Sequence, residues 1–224
     1  VDDQFILFEK ILNILDEHGA LKELALIGSW CLPIYQQQYI GFERLEAIRT
    51  TDIDFFVPAP NRIDNEVNVS KLLQGLGFAI KFDSVDGFEK FIMPELEVEF
   101  LAPRKRSNEK ISSVPKLNIK TLSLNYLETI PNHLVEITYL GHSLRIPELP
   151  FFMLHKAMIQ TMRKTEFKKE KDARIVQELA RLVLIDVELC RRAKQIYNSF
   201  GRKWKQKVQE MAAEHSADLE EIIR

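Results

Sequence analysis

Asp52 and Asp54 flank a single isoleucine in "RTTDIDFFV". Residues two apart on a strand face the same side, so Ile53, Phe55 and Val57 make an apolar face and the two aspartates share the other. Aspartate is disfavoured in strands, and like charges so placed repel each other unless a cation lies between them. A second segment, "PELEVEFLAP", repeats the alternation, with Leu96, Val98 and Phe100 against Glu95, Glu97 and Glu99. Beside Asp52 and Asp54, such a strand would add a third carboxylate to a set of hard oxygen ligands. Sets of this kind suit Mg²⁺. Two such ions about 3.5–4 Å apart can activate an attacking oxygen and steady a leaving one in phosphoryl chemistry. Glu99, deepest in its segment, is the expected third ligand, while Glu95 and Glu97 read as a solvated strand face. An isolated Asp-x-Asp is also at home on a half-exposed strand, so the weight falls on the two segments together.

Upstream, "LALIGSW" ends an apolar run at Gly28-Ser29. Glycine lets a backbone approach a phosphate closely, and the amides of a following helix start, with the Ser29 hydroxyl, can donate to its oxygens. No GxxxxGK[ST] occurs, so this is not a Walker loop. Taken alone, a Gly-Ser after a strand is equally a structural turn.

The elements that must position these residues follow from periodicity. Residues 3 to 18 place Phe5, Leu7, Phe8, Ile11, Leu12 and Leu15 on one helical face, and Gly19 ends the helix. Residues 24–28 form a short buried strand, "SWCLPIYQQQYI" a helix with Pro33 in its first turn, and 52–58 a strand closed by Pro58. Residues 65 to 76 read as a helix. "FAIKFDS", "FEKFIMP" and "LEVEFLAP" read as strands with antiparallel neighbours. Residues 104 to 120, polar and basic without a clear period, read as a loop or excursion. "LVEITYLGHSLRIP" reads as a hairpin turning at Gly141. From Phe151 onward the chain is helix-forming. The expected architecture is α+β, with an α+β domain over 1–148 and a helical domain over 149–224.

Bulk composition narrows the function classes. The chain has 224 residues, 46% hydrophobic and 29% charged, with a formal net charge of −2, so it is not a polycation built to coat nucleic acid. Cys31 and Cys190 show no metal-ligand spacing, which fits a reducing cytoplasm. No apolar run approaches the roughly 20 residues that cross a membrane.

Together, "ALIGSW", "RTTDIDFFV" and "LEVEFLAP" resemble the DNA polymerase beta-type nucleotidyltransferase superfamily, whose pattern is hydrophobic-Gly-[Gly/Ser], then Asp-x-[Asp/Glu] on a strand, then a third acid on a later strand. "LRIPELPFFMLHKAMIQTMRKTEFKKEKDARIVQELARLVL" resembles the helical region of bacterial, AbiEii-like nucleotidyltransferase proteins, with Lys156, Arg163 and a Lys169–Asp172 element. The resemblance implies a mixed sheet flanked by helices, followed by a helical domain. It implies that Gly28 and Ser29 hold nucleotide phosphates and that Asp52, Asp54 and Glu99 bind Mg²⁺, in a two-metal site. Lys156, Arg163 and Lys169 would offset the charge of the triphosphate. The substrate would be an NTP such as ATP, and the acceptor hydroxyl would belong to tRNA, a protein or a small molecule. Two departures stand out: a long gap between Ser29 and Asp52, and Glu99 where the third acid is often Asp.

Other readings remain beside this one. The same fold can serve as a catalytically degenerate binder of nucleotide or of a partner protein. The tail "CRRAKQIYNSFGRKWKQKVQEM" interleaves basic residues with Tyr197, Phe200 and Trp204, a pattern shared by RNA-binding surfaces and by ordinary amphipathic helices.

Overall fold

The computed structural model describes residues 3–39, 51–82, 87–104 and 110–224. These residues fall into two compact units. One runs to Leu32 and resumes from 51 to 147; the other comprises residues 33–39 and 148–224.

The first unit opens with α1 (Asp3–Glu17), which buries Phe8, Ile11, Leu12 and Leu15. Gly19, at φ +71, stops it in the left-handed region that favours glycine. Strand β1 (Ala25–Ile27) leads through a single turn (Gly28–Trp30) into α2 (Cys31–Gln38), which carries Pro33 in its first turn. Then come β2 (Asp52–Phe56), α3 (Val69–Gly75), β3 (Ala79–Phe82), β4 (Glu89–Ile92) and β5 (Glu97–Pro103). Strands β6 (Ile111–Val114), β7 (Ile119–Leu124), β8 (Leu134–Tyr139) and β9 (His142–Pro147) complete the unit.

The main sheet is mixed, in the order β1-β2-β5-β4-β3, with β7 beside β5 and β6 beyond β7. β5 lies at its centre. It pairs parallel with β2 along one edge; along the other it pairs antiparallel with β4 and then parallel with β7. One face of these central strands is aromatic. Phe55 stacks on Phe100, and Phe91 meets Phe100 edge-on, with ring centroids 5.9 Å apart in both pairs, and all three side chains are fully buried. Phe100→Ala should cost about 3–5 kcal/mol, as other buried Phe truncations do. Chemical denaturation would measure it.

The stretch 104–120 departs from the loop expected of it. Residues 105–109 lie outside the described residues, but β6 and the start of β7 form an antiparallel pair, Ile111↔Leu122 to Val114↔Ile119. Asn118, in the left-handed conformation at φ +51, makes the turn between them. The β8–β9 hairpin turns through Leu140 and Gly141, at φ +50 and +84, as a tight two-residue hairpin loop requires.

The second unit contains α4 (Leu149–Gln160), α5 (Glu166–Ile185), α6 (Val187–Ser199), α7 (Arg202–His215) and α8 (Ala217–Ile223). Every residue of α4 is buried, which makes it the central helix, packed by α5, α6 and α7. Asp186 caps α6 by accepting from the amides of Glu188 and Leu189 at 2.9 and 3.0 Å, and Arg192 grips Glu148 with two hydrogen bonds of 2.8 and 2.7 Å. Tyr197 and Phe200 are buried, so these two aromatics of the basic tail serve packing rather than base stacking. No described helix is long and apolar enough to cross a membrane.

Candidate functional site

The pairing of β2 with β5 sets the geometry of the acidic face. Asp52 lies opposite Glu97 and Asp54 opposite Glu99, in parallel register. Alternation along both strands puts all four carboxylates on the face that the phenylalanines leave open. The next strand continues the row, because Lys90 of β4 lies opposite Glu99. One rung across three strands therefore reads Asp54, Glu99, Lys90. The Lys90 ammonium contacts the Glu99 carboxylate and also pairs with Glu97 at 3.4 Å. Burial alone would lower the Lys90 pKa; the Glu99 and Glu97 carboxylates outweigh it and hold the ammonium above its ordinary value. Thr51 donates its hydroxyl to Asp52 at 3.3 Å.

Gly28 meets the same face from β1, because Ile27 pairs with Asp54 across the antiparallel β1–β2 ladder. Its backbone stands at φ +74, and a Cβ built there would fall 2.2 Å from Asp54 Oδ2. Only a residue without a side chain satisfies both conditions. Ser29 is buried in the turn that runs directly into α2. The Gly-Ser and the aspartates, far apart in sequence, are thus brought side by side. Gly28→Ala should displace the Asp54 carboxylate and strain the backbone at once. A shift of the Asp54 resonances in NMR spectra is the outcome to look for.

Asp52 and Asp54 offer hard oxygens of the type Mg²⁺ accepts, one or two carboxylates with waters or phosphate oxygens completing the shell. That donor pair fits the ion. Glu99 fits less well as a further ligand, since its carboxylate is already bound by Lys90. Among the described residues, no group of three or more His, Cys, Asp or Glu is gathered so as to hold a metal ion. Lys90 was not singled out from the sequence. "FEKFI" gave no signal for it, since Lys90 shares its side of the strand with Phe88 and Ile92 while Glu89 falls on the side of Phe91.

In the second unit, Lys156 and Arg163 converge on Asp172, at 2.8 and 2.6 Å. Asp172 is 2% exposed and Lys156 5%. Burial would raise the Asp172 pKa, but the two cations overcome it and hold the carboxyl below its ordinary range. Lys169 stands apart, 3.4 Å from Glu166 on the same helix.

A family model described as "Nucleotidyltransferase" matches residues 7–195, most of the chain and both units. The chain belongs to this nucleotidyltransferase family. Its fold agrees, with a mixed sheet flanked by helices and a helical C-terminal part, consistent with the polymerase beta-type superfamily. Among solved structures, an antigenic nucleotidyltransferase-like protein from Paracoccidioides brasiliensis superposes with a TM-score of 0.58 at 12% identity, covering 100% of this chain and 93% of that one. The antibiotic-resistance factor ANT(2'')-Ia superposes with a TM-score of 0.49 at 13% identity, covering 95% of this chain and 98% of that one, too loosely to carry an argument. No curated protein matches the sequence.

Proposed function

We propose that this nucleotidyltransferase transfers a nucleoside monophosphate from an NTP to an acceptor hydroxyl. The acceptor oxygen bonds to the α-phosphorus, the bond to the β-phosphate oxygen breaks, and pyrophosphate leaves with that electron pair. The proton of the acceptor hydroxyl passes to a carboxylate of the acidic face. Asp52 and Asp54 would hold Mg²⁺, which when bound neutralises phosphate charge and polarises the reacting phosphoryl group. Gly28 lets the backbone lie flush with Asp54, and Ser29, at the start of α2, would donate to phosphate oxygens. Within the helical unit Lys156 and Arg163 are engaged by the buried Asp172, and Lys169 by Glu166, so the proposed phosphate contacts are confined to Gly28 and Ser29.

The observation that carries this reading is the meeting of Gly28 and Asp54. A glycine after a strand and an Asp-x-Asp many residues later are pressed together so closely that a side chain at Gly28 would have to push the Asp54 carboxylate aside. The test incubates the protein with each NTP labelled at the α-phosphate, with Mg²⁺, over tRNA, protein extract and small-molecule acceptors. Label should appear on one acceptor class, with pyrophosphate released in equal amount. Transfer to none of them, together with no Mg²⁺-dependent nucleotide binding, would remove the enzyme reading.

A second reading draws on the Lys90–Glu99 pair. If that pair disables turnover, the chain is a degenerate member of its family that binds a nucleotide or a partner protein. Mg²⁺-dependent nucleotide binding without transfer would favour it.

A further inference from the structure

We propose that Lys90 is a built-in cation of the nucleotide site, standing beside Glu99 where a second divalent ion would stand, so that the site takes up one metal ion with its nucleotide rather than two. The inference rests on the nucleotidyltransferase reading above and deepens it.

Asp54, Glu99 and Lys90 form one rung across three adjacent strands. Neighbouring strands lie about 4.8 Å apart, so side chains along one rung of one face are in mutual reach. An ion bridging Asp54 and Glu99 would need a Glu99 oxygen, and Glu99 is the partner the Lys90 ammonium holds most closely. The ammonium is held by two carboxylates of β5, because Glu97, on the same face of that strand, binds it as well. Its side chain is 30% exposed and that of Glu99 15%, so water screens the pair only in part. A dication arriving at Glu99 must therefore either displace a doubly held ammonium or sit against its like charge.

Lys90 also answers a problem internal to the sheet. Directly opposed carboxylates on adjacent strands are destabilising, and β2 and β5 oppose two such pairs. A lysine on β4, the strand beyond β5, relieves this permanently, whereas a metal relieves it only when bound. The single ion left to the site would be the one on Asp52 and Asp54 that travels with the nucleotide phosphates.

The test counts Mn²⁺ ions bound per chain by electron paramagnetic resonance, in the presence of a non-hydrolysable NTP analogue. The wild-type protein should bind one. Lys90→Met should bind two, the second lost again in Lys90→Met/Glu99→Gln, while Lys90→Arg, which keeps a cation against Glu99, should stay at one. Two ions in the wild type, or one in a folded Lys90→Met, would overturn the inference and leave the nucleotide reading standing. No ion in the wild type would overturn both. Should Lys90→Met not fold, Glu99→Gln decides: a count unchanged at one supports the inference, and a count of zero makes Glu99 a ligand and overturns it.

Discussion

Asp54→Asn is expected to leave the fold intact and to reduce label transfer by about a thousandfold, the several kcal/mol that metal stabilisation of a phosphoryl transition state supplies. Asparagine keeps the shape that packs against Gly28 and loses only the charge. Asp52→Asn should act in the same direction, and the double variant should be little worse than Asp54→Asn, because under the proposed reading the two carboxylates serve one ion. Circular dichroism and thermal unfolding separate this from misfolding. A stability equal to or above the wild type is expected, since removing one of four clustered carboxylates relieves repulsion.

The second large effect falls on stability. Asp172→Ala should destabilise the helical unit by about 3–5 kcal/mol, because it strands the Lys156 ammonium, 5% exposed, without its anion. Hydrogen exchange of the α4 and α5 amides reads this unit by itself, and their protection should fall sharply. Exchanging Lys156 and Asp172 together for Met and Leu should recover most of the loss. The same carboxyl sets an acid limb. Its pKa is lowered in the folded chain, so the unfolded chain binds the proton first, at about pH 3.9. Its contribution is complete above that pH and is lost as the pH falls through the lower, folded value. In the Asp172→Ala protein this part of the acid destabilisation should be missing.

The sequence showed the ingredients of the acidic face more clearly than their arrangement. Alternation in "DIDFF" and "LEVEF" assigned each residue to a face, because side-chain direction on a strand depends only on neighbours in the chain. The register that sets Asp52 against Glu97 is different in kind. It is a parallel pairing across the intervening α3, β3 and β4, and nothing local specifies it. Glu97 accordingly read as a solvated residue, although Lys90 binds it.

β6 and β7 were missed for another reason. Their inward positions include Ser112, Thr121 and Ser123, all buried, with Thr121 donating to the Ser112 carbonyl at 3.1 Å. Polar groups satisfied in this way fill a core without raising hydrophobicity, and Lys116 and Lys120 between them hid the period. Lys156 and Arg163 read as cations reaching for phosphate. Their spacing on either side of a helix break could not reveal that Asp172 draws both inward.

Whether Gly28, Ser29, Asp52 and Asp54 together hold a metal-bound nucleotide, as proposed, can be measured before any acceptor is known. Isothermal titration of the protein with each NTP, in Mg²⁺ and then in EDTA, compares the wild type with Asp52→Asn/Asp54→Asn. Binding of at least one NTP that requires Mg²⁺ and weakens thirtyfold or more in the double variant is the result expected. Equal affinity with and without the ion, or in wild type and variant alike, would contradict it.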